Sequence, residues 1–104
     1  MHLNTTFTAL SDPTRRAIVE QLALGEATVS ELAKPHNLSQ PTISKHLRVL
    51  EKAGLIETSR NAQMRPRRLV AGGLEQVDEW LASLRKQWES RLDRLEDFIS
   101  EDNK

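Results

Sequence analysis

Residues 40–52 read Gln-Pro-Thr-Ile-Ser-Lys-His-Leu-Arg-Val-Leu-Glu-Lys, and their types and spacing carry the chemistry that is easiest to name. Wound as a helix at about 100° per residue, Ile43, Leu47 and Leu50 share one face, with His46 and Ala53 at its margin. Pro41, Lys45, Arg48 and Lys52 cluster opposite, with Ser44 and Gln40 towards one flank. The outward face so defined presents three cations and short polar groups. Such a set suits a nucleic-acid groove: Gln pairs with the edge of adenine, Ser meets several base edges, and Lys or Arg meets guanine or phosphate. Gln40, Thr42, Ser44 and Lys45 are therefore assigned to base reading, and Arg48 and Lys52 to backbone or mixed contacts. The same three cations would also suit an ordinary solvated helix face. What precedes them favours the groove.

The preceding element is a short capped helix. Thr28-Val29-Ser30-Glu31 has the pattern of a capping box, with Thr28 as N-cap and Glu31 reaching back. Leu32 and Ala33 continue it, and Pro35 should stop it by pushing Lys34 away from helical angles. His36-Asn37-Leu38 then make a tight turn, and Ser39 caps the helix of residues 40–53, which Gly54 ends. Two capped helices about a tight turn form the helix-turn-helix plan, whose second helix enters the major groove of DNA.

Upstream, Leu3–Leu10 is a helix candidate with Phe7 and Leu10 able to face a core. Ser11-Asp12-Pro13-Thr14 is a strong start for another helix, with Asp12 as N-cap and Pro13 first inside. That helix carries Ala17, Ile18 and Leu22 inward and stops near Gly25. Arg15 and Arg16 lie in its first turn, where cations are disfavoured by the helix dipole. They call for a partner, either an internal carboxylate such as Glu20 or one on the last helix, or, less simply, a DNA phosphate.

Downstream, Leu55–Ser59 alternates as a strand and Arg67–Ala71 fits a returning one, around a polar loop from Arg60 to Pro66. The hairpin has a basic tip, and a β-ribbon there can lie in an adjacent minor groove, where Arg is attracted. Arg60 and Arg65 are the best placed. Arg67 is the further wing candidate; because Arg67 and Arg68 alternate in direction, both cannot face DNA. A salt bridge to Glu57 or the last helix is the competing use of each arginine.

After Gly72-Gly73, apolar residues recur at positions 74, 77, 81, 84, 88, 92, 95 and 98 or 99. Spacings of three and four sustained this long resemble a heptad seam. About 26 helical residues would reach ~39 Å, too long for a small domain to bury alone, so a second chain is the expected partner. Two shorter helices folded on one core are the alternative.

The chain has 104 residues, enough for one domain, with residues 1–73 as core and wing and 74–104 as the long helix. There is no cysteine, which excludes disulfides and thiolate metal sites. His2, His36 and His46 are too dispersed to suggest a metal centre, and no cofactor is expected. No phosphate-binding glycine loop or nucleophile motif points to an enzyme. Glu75, Asp78 and Glu79, at the start of a helix, are better read as dipole partners than as catalytic acids. No segment is long and apolar enough to span a membrane, and the first residues lack a signal-peptide pattern, so the cytoplasm is expected.

Fifteen basic residues balance fifteen acidic ones, which by itself argues against a nucleic-acid partner. The distribution reverses that inference. Residues 1–70 hold ten basic and six acidic side chains, a balance of +4, whereas 71–104 hold five and nine, a balance of −4. Between 37 and 70 seven cations face only Glu51 and Glu57.

Ala9-Leu10-Ser11-Asp12-Pro13-Thr14-Arg15-Arg16-Ala17-Ile18, Thr28–Ala33 and Leu38–Ile56 together resemble the ArsR-type winged helix-turn-helix transcriptional repressors. Trp80-Leu81 through Trp88–Leu95 is similar to the tail of a cysteine-poor branch. The resemblance implies a mainly α fold with an α+β wing, and a homodimer on double-stranded DNA with an inverted-repeat operator. It also implies repression of a nearby promoter. It puts base reading on Gln40, Pro41, Ser44 and Lys45. It puts the dimer interface on the first and last helices, hence on Phe7, Leu74, Val77, Leu81, Leu84, Trp88, Leu92 and Leu95. Metal-sensing relatives carry cysteines in the helix at 28–34 or His/Asp pairs on the last helix, and neither is present, so their metal response does not transfer. An inducer is not specified. The competing function is a winged-helix interaction module that works through its last helix without touching DNA.

Overall fold

The computed structural model describes residues 2–60 and 63–102. Asn61 and Ala62 of the expected loop, and the last two residues of the expected C-terminal helix, lie outside the described residues. The order of elements is α1 (His2–Leu10), α2 (Pro13–Ala23), α3 (Val29–Ala33), a 3-10 turn (Lys34–His36), α4 (Gln40–Lys52), β1 (Ile56–Thr58), β2 (Arg67–Leu69) and α5 (Glu75–Asp102). The chain forms two compact units, one up to Leu74 and the other α5 from Glu75 onward.

The first unit is built on short helices whose ends are fixed by their own side chains. Asp12 caps α2 by accepting from the Arg15 backbone N–H at 3.0 Å, with Pro13 in the first turn. Thr28 and Glu31 complete the capping box of α3: Thr28 Oγ1 accepts from the Glu31 N–H at 3.3 Å, and Glu31 Oε1 accepts from the Thr28 N–H at 3.0 Å. Each anchored end lets a brief amphipathic helix point its apolar stripe inward. The core is the result: Ala9, Ile18, Leu22, Leu32, Ala33, Ile43, Leu47, Leu50, Leu55 and Ile56.

Three expectations need correction. Lys34 is helical rather than extended, at φ −53° and ψ −53°. The α-helix does end at Ala33, just before Pro35, but the chain runs on as the 3-10 turn with Pro35 in its first turn, where a missing N–H leaves no bond unmade. The chain reverses two residues later, where Asn37 takes the left-handed region at φ 53°. Phe7 is on the surface; Thr6 and Ala9 fill the buried side of α1, with Leu10 packed against the core. Arg15 and Arg16 do find internal partners, but these are carbonyls and not carboxylates. Arg15 donates from Nε to Ala9 O at 2.7 Å and from Nη2 to Thr8 O at 3.1 Å, and Arg16 Nη1 donates to Leu10 O at 2.7 Å. The carbonyls of the last turn of α1 have no partner within the helix itself, and cations are favoured there.

β1 and β2 pair antiparallel, with Ile56 opposite Leu69, Glu57 opposite Arg68 and Thr58 opposite Arg67. Ile56 and Leu69 turn to the core, while Glu57 and Arg68 face outward and pair at 2.8 Å. α5 is one unbroken helix of 28 residues, about 42 Å long at 1.5 Å per residue, rather than two shorter helices.

Candidate nucleic-acid interface

α4 is the element on which the site depends. Ser39, its N-cap, accepts from the Thr42 backbone N–H at 3.3 Å. The helix then buries Ile43, Leu47 and Leu50 completely, which fixes its rotation about its own axis. Gln40, Pro41, Thr42, Lys45, Arg48 and Lys52 are consequently exposed, and Ser44 is half-buried at the edge. Thr42 Oγ1 lies 2.9 Å from Ser39 Oγ, so that hydroxyl already has a neighbour in the free chain. Among the described residues no ion pair engages Lys45, Arg48, Lys52, Arg60 or Arg65. These cations are held out to solvent without an anion.

Val49 escapes the sequence reading although its position is on the same wheel. It stands four residues after Lys45 and three before Lys52, and it is exposed in the midst of the cations. An apolar β-branched side chain at that point offers a surface for a thymine methyl group. Its helical angle alone was sufficient signal.

The hairpin arginines separate into two kinds. Arg60 and Arg65 are exposed near the tip, and Arg65 sits in the left-handed region at φ 50°. Arg67 and Arg68 point to opposite sides, as their alternation requires, and both are paired. Arg68 meets Glu57 at 2.8 Å and Glu26 at 3.9 Å. Arg67, expected among the wing contacts, has its Nε on Glu51 Oε1 at 3.1 Å and is largely covered. It leaves the set of unpartnered cations because α4 supplies a carboxylate within reach of its strand face.

His46 lies between core and surface, with Nδ1 at 3.5 Å from Arg15 Nη1 and 3.9 Å from Asp12 Oδ2. His36 Nε2 is 2.9 Å from Gln21 Oε1. Both histidines are thus occupied in joining helices. Asp12 and Glu31 are held below the usual carboxylate range. For Asp12 the chief cause is the Arg15 backbone N–H, and for Glu31 it is the Thr28 backbone N–H. Among the described residues no group of three or more His, Asp or Glu could hold a metal ion, and no helix is long and apolar enough to cross a membrane.

On α5 the apolar positions fall along one stripe. Leu81, Leu84, Trp88, Leu92, Leu95, Phe98 and Ile99 are all exposed, and Val77 is half-buried. Leu74, at the end of the first unit, and Phe7, on α1, are also exposed.

A capped α3, a tight turn, an inward-locked α4 with a cationic outer face and a two-stranded ribbon define a winged helix-turn-helix DNA-binding protein. The profile of the family described as "Bacterial regulatory protein, arsR family" matches residues 12–58. The chain belongs to that family. Transcriptional repressor SdpR of Bacillus subtilis (strain 168) is 43% identical over 61 residues, 59% of this chain and 68% of that protein. The crystal structure of an ArsR family transcriptional regulator, RHA00566, superposes with a TM-score of 0.77 at 42% identity, covering 86% of this chain and 98% of the other. The solution structure of a homodimeric winged helix-turn-helix DNA-binding domain from Mycobacterium bovis has a TM-score of 0.64 at 25% identity, covering 89% and 83%.

Proposed function

We propose that this regulator is a repressor that binds an inverted-repeat operator in double-stranded DNA as a homodimer. The observation that carries the reading is the outer face of α4: its cations are exposed and unpaired, while three buried apolar side chains fix the helix's rotation. Gln40, Pro41, Thr42, Ser44 and Lys45 would meet base edges, with Val49 as the apolar addition. Arg48, Lys52, Arg60 and Arg65 would meet phosphates. The relatives named as repressors, and the neighbour described as homodimeric, support the assembly. Phe7, Leu74 and the α5 stripe through Leu95 would form the interface between copies. The two reading helices would then stand about 34–36 Å apart, one turn of DNA.

Selection of bound duplexes from a random pool, followed by titration at two salt concentrations, tests this. The expected result is a palindromic consensus. Affinity should also fall about a thousandfold or more between 50 and 200 mM salt if most of the four phosphate-directed cations in each protomer are engaged. Binding without a consensus, or without salt dependence, would sink the proposal. So would no binding at all, which would favour an interaction module acting through α5.

A further inference from the structure

Arg67 is a wing residue by position, yet its side chain turns towards the recognition helix. Its Nε donates to Glu51 Oε1 of α4 at 3.1 Å, and its Nη1 donates to the carbonyl of Arg65 at 2.6 Å. The Thr58 hydroxyl, across the strand pair, donates to the same Glu51 oxygen at 3.4 Å. The Arg67 backbone pairs with Ala27 through both groups, at 2.8 and 3.1 Å. One residue thus ties together the α2–α3 connection, the recognition helix, β1 and the turn that carries Arg65. The side chains of Arg67 and Glu51 are 19% and 34% exposed, so the pair is partly shielded from solvent.

Glu51 is the only carboxylate in α4. A negative charge on a helix that faces a polyanion opposes binding, unless it has an internal task. The Arg67 guanidinium supplies that task. Two separate elements, α4 and the wing, must meet one duplex together, and the angle between them decides whether both can do so.

We infer that Glu51 and Arg67 are positioning residues for DNA recognition: the pair locks the wing against the recognition helix so that Arg60 and Arg65 engage together with the Lys45 face. The inference rests on the DNA-binding reading above and adds to it a pair that does not itself touch DNA.

Glu51→Gln tests it by sign. Charge alone requires the variant to bind duplex more tightly, since one repulsion is gone. Positioning requires it to bind roughly tenfold more weakly, the size of one charge-assisted hydrogen bond. Arg67→Lys keeps the charge but lacks the planar fork that holds Glu51 and the Arg65 carbonyl at once, so it too should bind more weakly. In an Arg60→Ala, Arg65→Ala background, Glu51→Gln should have little further effect, because the wing contacts it organises are already gone. A variant that binds equally or more tightly, or that loses the same factor in both backgrounds, overturns the inference. Amide hydrogen exchange on the free protein supplies a readout without DNA. Glu51→Gln should speed exchange at Ser59 and Arg67 while Leu47 and Leu50 of α4 keep their protection, and unchanged exchange at Ser59 and Arg67 also overturns it. A wild-type protein that binds no duplex would end the DNA-binding reading and the inference together; that failure is distinguishable because the exchange result stands apart from it.

Discussion

Lys45 and Arg65 carry the same charge on different kinds of backbone. Lys45 rides a helix whose rotation is fixed by Ile43, Leu47 and Leu50, so the core sets the direction in which its side chain leaves the backbone. Arg65 sits on a loop residue at positive φ, with a long exposed side chain. On the proposed reading, the residue on the core-locked helix meets base edges and the one on the wing loop meets phosphate. Lys45→Ala is therefore expected to flatten preference at one base-pair position, by about 1–3 kcal/mol in a titration against single-base operator variants. Arg65→Ala should weaken every variant alike and lower the salt slope by about one per protomer. If both substitutions acted uniformly, the division of labour would be wrong. Asp12 makes a different kind of argument. Its carboxyl lies below its ordinary value of 3.8 because the ionised form accepts from the Arg15 N–H and faces His46 and Arg15. The ionised cap therefore contributes its full stabilisation above the ordinary carboxylate range, and that contribution fades as pH falls through 3.8 towards the lower folded value. Asp12→Ala should cost about 1 kcal/mol at neutral pH. The difference from wild type should shrink in denaturant titrations below about pH 4, where both chains lack the charge.

Helix ends were the most legible features of the elements, because a cap is a local device. Asp12-Pro13, Thr28 with Glu31, and Ser39 each satisfy backbone donors within three residues, so no tertiary knowledge is needed to place them. The helical angles of Lys34 are not legible, for the converse reason. A proline ends a helix or opens a first turn with equal local comfort, and the deciding factor is Asn37 two residues on, whose left-handed angle closes the 3-10 turn. The roles of Arg15, Arg16 and Arg67 were not legible either. Their partners are carbonyls of another helix, or a carboxylate sixteen residues away, and charge spacing along the chain carries no information about them. Gly54 permits a test of the stop itself. It follows α4 at φ +76° with nothing within 4 Å of a would-be Cβ, so Gly54→Ala meets backbone strain without a clash. A loss of about 1 kcal/mol in chemical denaturation is expected, with the denaturant slope unchanged. Gly73 is constrained by space instead. A Cβ there would lie 2.9 Å from the Gly54 carbonyl and 3.1 Å from Leu55 Cα, both backbone atoms that cannot swing away. Gly73→Ala should therefore cost more than Gly54→Ala, and equal losses would show that the backbone yields freely.

At the scale of the whole molecule the balanced charge resolves into its parts. Residues 71–74 carry no charge, so the unit ending at Leu74 keeps the +4 of residues 1–70, and the chain from 75 onward keeps −4. The structural division and the electrical one coincide, and zero is a sum over two units of opposite charge. The second unit is a helix about 42 Å long with Leu81, Leu84, Trp88, Leu92 and Leu95 exposed along it. A stripe of that extent exceeds what a small monomer usually leaves in water, and its three-and-four spacing suits a second helix. Leu84→Glu with Leu92→Glu in the full chain places two carboxylates within the stripe without touching the core of the first unit. Sedimentation should then give a monomer where wild type gives a dimer. Affinity for a palindromic operator should fall by about 10²–10⁴, the advantage of linking two reading heads, whereas a single half-site should bind as weakly as it does to wild type. Thermal unfolding followed at the first unit separates loss of pairing from loss of folding, since that unit's transition should persist. A double variant that still sediments as a dimer would move the interface away from this stripe, and one that keeps full operator affinity as a monomer would remove the need for a dimer altogether.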